Sequence, residues 1–250
     1  MKLFDSHFHI IDRRFPLVEN HGFVPAKYSV ADYQQQTDAL HLVGGAVVSG
    51  SFQAFDQGYL LAALQQLGPG FVGVTQLPAS CSDAEILDLD RAGVRAVRFN
   101  LHRGGSADIR HLASLAQRVY ELAHWHVELY VDSAELDGLY PTLRQLPRVS
   151  IDHLGLSAAG FATLLKLVEH GVRVKASGFG RLELDVAAAL RQISAINPEA
   201  LLFGTDLPGT RAPRAFAMAD LHLIESLFDE TLCHKIRYAN AAAWYRLADS

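Results

Sequence analysis

The sequence of 250 residues predicts a single (β/α)8 TIM barrel of class α/β, spanning 1–250, with an irregular loop after strand 1 and a C-terminal helix. Three observations predict it. Short apolar, β-branched runs alternate with longer segments whose apolar residues recur every three or four positions, which is the pattern of parallel strands joined by helical crossovers. About eight such units fit the length, close to the typical size of this barrel, whereas a doubly wound sheet would show fewer strands. No Pro/Ser/Gly-rich linker and no shift in composition divides the chain.

The strand candidates are Lys2–His9, Val43–Ser49, Phe71–Gln76, Val94–Asn100, Val127–Asp132, Val149–His153, Val172–Ser177 and Leu201–Asp206. Between them, Ile109–Ala123 and Phe161–Glu169 show helical spacing most clearly. Gly70, Gly93 and Gly171 each precede a strand, where a helix C-cap or tight αβ turn needs them. Asp12–Lys27 carries two prolines after the first strand and is a candidate lid, because loops at that end of a barrel border the active site. Leu227–Leu247 is helical and apolar, suited to capping the barrel or to joining subunits, so an oligomer is an open expectation.

Composition narrows the function classes. With 50% hydrophobic residues and 20% charged, the chain has enough apolar surface to offset its conformational entropy. A net charge of −5 with no basic block argues against nucleic acid as a partner. No apolar run approaches the ~20 residues that span a bilayer, and MKLFDSHFHI lacks a secretion signal. Cys81 and Cys233 are far apart and read as free thiols, so a cytoplasmic location is expected.

Strand ends on the C-terminal side of a barrel carry its chemistry. Strand 1 ends in Asp5-Ser6-His7-Phe8-His9, and simple alternation places Asp5, His7 and His9 on one face. Strand 6 ends in Ile151-Asp152-His153, with Val149, Ile151 and His153 sharing a face by the same rule. Strand 8 runs Leu-Leu-Phe-Gly-Thr and then ends in Asp206. A lone Asp after a strand is usually an N-cap or turn former, and an HxH alone is weak. Together they make a constellation suited to hydrolysis: imidazoles to hold a carbonyl or a metal, and a carboxylate to deprotonate water. Arg98 and Asn100 share a face of strand 4, and Arg103, Lys175, Ser177, Arg181 and Arg211 follow nearby strand ends. Several cations around one mouth suit a small anionic substrate.

HFH after strand 1, IDHLG at strand 6, KASG at strand 7, FGTDLP at strand 8 and the closing YANAAAWYRL resemble the amidohydrolase superfamily. Within it they resemble the branch of 2-pyrone-4,6-dicarboxylate lactonases and related sugar-acid lactonases. The resemblance implies a distorted barrel and a hydrolase, with lactone hydrolysis favoured. It makes Asp206 the general base, and His7, His9 and His153 either polarise the substrate carbonyl or, with Asp206, ligate one divalent ion (Zn or Mn). Ser51, Arg98, Asn100, Tyr130 and Arg181 become substrate contacts. Strand 5 has no His at its end, as in the lactonases, which favours no required metal; His124 and His126 precede that strand on the wrong side. Gly209 stands where many relatives have His or Asn, which implies more room near Asp206. The alternatives are a divalent-metal-dependent amidohydrolase or decarboxylase using the same residues, and a non-catalytic barrel that binds a small acid. No GxSxG elbow, phosphate loop or Cys–His pair supports another chemistry.

Overall fold

The structure, a computed structural model, describes residues 2–247. Eight parallel strands form one sheet in sequence order: β1 (Phe4–Phe8), β2 (Gly44–Val48), β3 (Phe71–Thr75), β4 (Val94–Asn100), β5 (His126–Tyr130), β6 (Val149–Ile151), β7 (Arg173–Ala176) and β8 (Leu201–Phe203). The seven intervening helices are α1 (Val30–Thr37), α2 (Gly58–Leu67), α3 (Asp83–Arg91), α4 (Leu112–Ala123), α5 (Leu136–Leu143), α6 (Phe161–Glu169) and α7 (Val186–Ile196). The sheet closes where the segment after β8 meets β1: His9 N donates to Leu207 O at 2.8 Å and Asp206 N to His7 O at 2.7 Å. The (β/α)8 barrel and all eight strand positions follow the periodicity of the sequence.

Local chemistry explains the element boundaries. Ser29 with Asp32, and Ser82 with Glu85, make capping boxes that satisfy the first free N–H groups of α1 and α3. Gly70, Gly93 and Gly171 have φ of +94°, +101° and +91°, so each turn into a strand uses a conformation that other residues rarely adopt.

Two apolar layers result. Val47, Val97, Phe99, Leu129, Ile151 and Val174 face outward against the helices, while Phe4, Ala46, Val48, Val72, Val74, Ala96 and Leu202 fill the barrel floor. The C-terminal segment is not one helix. After α8 (Met218–Leu227) it continues as α9 (Glu230–His234), a π turn at Lys235–Ala239 and α10 (Asn240–Trp244). Trp244 and Tyr245 join the floor cluster, so this segment plugs the end opposite the strand C-termini.

Strand alternation fails at two places. The β1–β2 register shifts between Asp5 and Phe8, a bulge that inserts an extra residue. The Asp5 carboxylate therefore points away from the His7 and His9 rings, although the His7 backbone N–H donates to it at 3.2 Å. It accepts from Tyr33 Oη at 3.0 Å, Thr205 N at 2.8 Å and Thr205 Oγ1 at 2.6 Å, and so clasps β1 to β8 and α1. The second failure is at β6, which ends at Ile151. Val149 and Ile151 face the helices, but His153 has φ of +51° and swings to the interior.

Candidate active site

Asp206, His7, His9 and His153 converge above the barrel floor, all at most 5% exposed. Asp206 has φ of +60°, and like His153 it holds a left-handed conformation that costs on the order of 1–3 kcal/mol for a non-glycine residue. Its Oδ1 lies 3.8 Å from Nε2 of His7 and 3.7 Å from Nε2 of both His9 and His153. Oδ1 and His7 Nε2 are buried and have no hydrogen-bond partner. Oδ2 is fully engaged: Arg181 donates to it from Nε at 2.9 Å and from Nη2 at 2.5 Å.

Burial disfavours the charge on Asp206, but His153 when protonated and Arg181 at every pH outweigh it, and the carboxyl is held well below the usual range. Burial pushes His153 down to about 4 and His7 well below its ordinary value, with Lys175 adding to the effect at His7. Both rings are neutral at pH 7.

Backbone and side-chain partners orient the rings. His9 Nδ1 lies 2.7 Å from Val48 O, which can only accept, so the His9 proton sits on Nδ1 and Nε2 presents a lone pair. His153 Nδ1 meets Ser177 Oγ at 2.9 Å. His7 Nδ1 faces Lys175 Nζ at 3.2 Å.

Lys175 is misplaced by the sequence reading, which puts it at the mouth. It is 0% exposed in the barrel centre and pairs with Glu128, whose other oxygen accepts from Tyr245 Oη at 2.6 Å and His126 Nε2 at 2.9 Å. Asp152 is a second buried acid that motif reading passes over; its Oδ2 accepts from Arg98 Nη2 at 2.8 Å and Nε at 3.2 Å. The available signal was a charged residue inside an otherwise apolar strand, since a buried charge needs a partner.

His9, Ser51, Arg98, Asn100, Tyr130, His153, Arg181 and Asp206 line one pocket, together with Phe23, Arg103, Thr210 and Arg211. Arg98 also donates to Ser49 O at 2.8 Å, so its donors are largely spent on protein. Asn100 accepts from Arg103 N at 2.9 Å, and Tyr130 Oη accepts from Arg181 at 3.2 Å. Arg103 and Arg211 pair with no acid among the described residues, and Arg103 Nε is a buried donor without a partner. The inner cavity is about 30 Å³, roughly one water, and an outer chamber of about 260 Å³ shares Arg103, Tyr130, Arg181 and Arg211 with it. His102 lines the outer chamber.

The loop read as a lid does border this mouth. Asn20 accepts from Arg211 Nη1 at 2.9 Å and donates to Arg103 O at 3.0 Å, and Phe23 lies 4.3 Å under the Arg211 guanidinium. Gly209 is different from its reading. A Cβ there would meet Ala215 at 3.0 Å, so the position faces Ala215 and adds no room in the pocket.

Two sets of ligand atoms lie within 4.8 Å of one another and by distance could hold a metal ion: His7, His9 and Asp206, and His7, Asp152 and His153. His9, protonated on Nδ1, suits a ligand. His7 does not, because the Lys175 ammonium 3.2 Å from Nδ1 occupies that lone pair and offers no acceptor for the N–H that a ring bound through Nε2 would carry there. No chemical step is therefore derived through an ion.

The amidohydrolase family profile matches residues 4–247. The chain belongs to the amidohydrolase family. It is 29% identical to a 2-pyrone-4,6-dicarboxylate hydrolase of Comamonas testosteroni over 82% of this chain and 76% of that protein. It is 26% identical to a 4-sulfomuconolactone hydrolase of Rhizobium radiobacter, over 95% of this chain and 88% of that one. A Pseudomonas putida structure described as a 2-pyrone-4,6-dicarboxylic acid hydrolase superposes with a TM-score of 0.84 at 28% identity, over 99% of this chain and 98% of that one. This amidohydrolase is a hydrolase, and its named relatives act on lactones of anionic acids. No helix among the described residues is long and apolar enough to cross a membrane.

Proposed function

We propose that this amidohydrolase opens the ring of a lactone of a small dicarboxylic or sugar acid, with Asp206 as general base. The observation that carries the reading is the unpartnered Asp206 Oδ1, 3.7–3.8 Å from three imidazole Nε2 atoms, with Asp206, His9 and His153 lining an arginine-rich pocket and His7 buried behind them. A water in that gap gives one hydrogen to Asp206 Oδ1 and the other to the His9 Nε2 lone pair, which leaves an oxygen lone pair aimed at the ring carbonyl. Attack forms the new C–O bond as Asp206 takes the proton. Donors around the carbonyl, His7 and (with Ser177 Oγ donating to its Nδ1) His153, stabilise the alkoxide as charge develops on it. Collapse breaks the ring C–O bond, and Asp206 returns the proton to the leaving oxygen, giving a hydroxy acid.

Arg103 and Arg211, free of protein carboxylates, would receive the substrate's acid groups, with Ser51, Asn100, Tyr130 and Arg181 completing the contacts. The named relatives act on lactones that carry acid groups, and an Acinetobacter baumannii neighbour with a TM-score of 0.86 holds citric acid. The metal-dependent reading retains one specific support, the close ligand atoms of His7, His9 and Asp206.

The test is hydrolysis of a panel of dicarboxylic and sugar-acid lactones by chelator-treated protein and its Asp206→Asn variant. We expect turnover of at least one lactone by the parent and a loss of about 10²–10⁴-fold in the variant at unchanged circular dichroism. Near-parental turnover by the variant refutes the base assignment. Activity restored only by added metal would favour the alternative.

A further inference from the structure

We propose that Lys175 is a positioning residue that fixes the His7 proton on Nε2, making this imidazole a hydrogen-bond donor toward the reacting carbonyl. Lys175 stands on β7 with its ammonium in the centre of the barrel, 0% exposed. It spans to Glu128 on β5 and to His7 Nδ1 on β1, 3.2 Å away. An ammonium carries hydrogens and no lone pair, so the nitrogen it meets must accept. A neutral imidazole that accepts at Nδ1 has its single proton at Nε2.

One group competes for that nitrogen. Asp152 Oδ1 is 3.4 Å from His7 Nδ1, but it accepts no hydrogen bond there, and its partner oxygen is taken by Arg98. The opposite tautomer would set an N–H against the ammonium at 3.2 Å. On its far side, His7 Nε2 is unpartnered and 3.8 Å from Oδ1 of Asp206, a residue that lines the pocket, so a hydrogen on Nε2 points toward the base and the pocket beyond it.

His7 and His9 are two residues apart and look equivalent as an HxH pair, yet their partners demand opposite tautomers. Val48 O holds the His9 proton on Nδ1, so His9 presents a lone pair where His7 presents a hydrogen. Glu128, fixed by His126 and Tyr245, anchors the lysine and is the remote part of the same device. The constellation thereby works as one acceptor and one donor instead of two ligands. The donor's purpose rests on the hydrolytic reading; the tautomer itself does not.

The test is long-range ¹H–¹⁵N NMR of the full-length protein labelled in its histidines, with His7 and His9 assigned by His7→Gln and His9→Gln. We expect His7 to show a protonated Nε2 and a bare Nδ1, and His9 the reverse. A protonated Nδ1 on His7 overturns the proposal. The double variant Lys175→Met/Glu128→Gln removes the lysine without leaving a buried acid unpaired. We expect its His7 signals to move toward the Nδ1-protonated form and zinc binding, followed by calorimetry without substrate, to rise at least 10-fold over the parent. Unchanged His7 signals in a folded double variant would overturn the role of Lys175; should that variant fail to fold, the parent spectrum still decides the tautomer. A protein inactive on every lactone would sink the hydrolytic reading while leaving these spectra untouched.

Discussion

Arg181 binds one oxygen of the Asp206 carboxylate through two donors and leaves the other oxygen without a partner. The pair explains how a buried acid stays ionised. Burial alone would neutralise it, and the guanidinium keeps it charged with one lone-pair face open. In the proposed reaction, that open oxygen is the one that takes the proton from water.

Arg103 offers a buried Nε with no acceptor, and in the proposed complex that donor meets an acid group of the substrate. Arg103→Ala should raise KM for an anionic lactone with kcat little changed. A charged hydrogen bond of about 1.5–3 kcal/mol corresponds to roughly 10- to 150-fold in kcat/KM. A neutral lactone should show no such loss. Equal losses on charged and neutral lactones would remove Arg103 from substrate binding.

Asn20 ties the β1 loop to Arg211 and to the Arg103 carbonyl. Asn20→Ala should loosen that loop, seen as faster hydrogen exchange in residues 12–27 with the barrel strands unaffected. Parental exchange rates there would show that the loop is held by other contacts. The inner cavity is too small for a dicarboxylate lactone as it stands, so the loop is the element expected to move.

Gly178 has φ of +63°, and a Cβ at this position would fall 2.7 Å from His153 Nδ1. Gly178→Ala should displace the His153 ring from Ser177 as well as strain the backbone. We expect a stability loss of about 1–3 kcal/mol and a fall in kcat that exceeds any change in KM. Thermal melts and steady-state kinetics measure both, and a parental kcat would contradict the coupling.

Acid should destabilise the fold between pH 6.5 and about 4. Burial lowers both His126 and His153 from 6.5 to about 4, so across this window the unfolded chain binds their protons first and stability falls with pH. Asp5 acts oppositely: burial raises it from 3.8 to about 6, and its contribution is lost as pH rises. His7, also pushed down by burial, acts in the same direction, so three histidines against one acid leave a net loss on acidification, about 3 kcal/mol each for His126 and His153. His126→Gln should therefore flatten the dependence of the urea midpoint on pH in this range. An equally steep profile would show that His126 does not contribute.

The periodicity of the chain by itself determined the barrel, because a strand's two-residue repeat and a helix's 3.6-residue repeat are local properties of the backbone. It also placed His7, His9, His153 and Asp206 at strand ends, where this architecture gathers its functional groups. Tertiary structure decided what local periodicity cannot encode. Closing the sheet required a bulge after Asp5, which took that acid away from the His7 imidazole and turned it into a clasp between β1 and β8. The turn after Ile151 brought His153 inward against the parity of its strand. Lys175 and Glu128, 47 positions apart, meet only because β5 and β7 point their side chains into one barrel, and neither charge could be buried without the other.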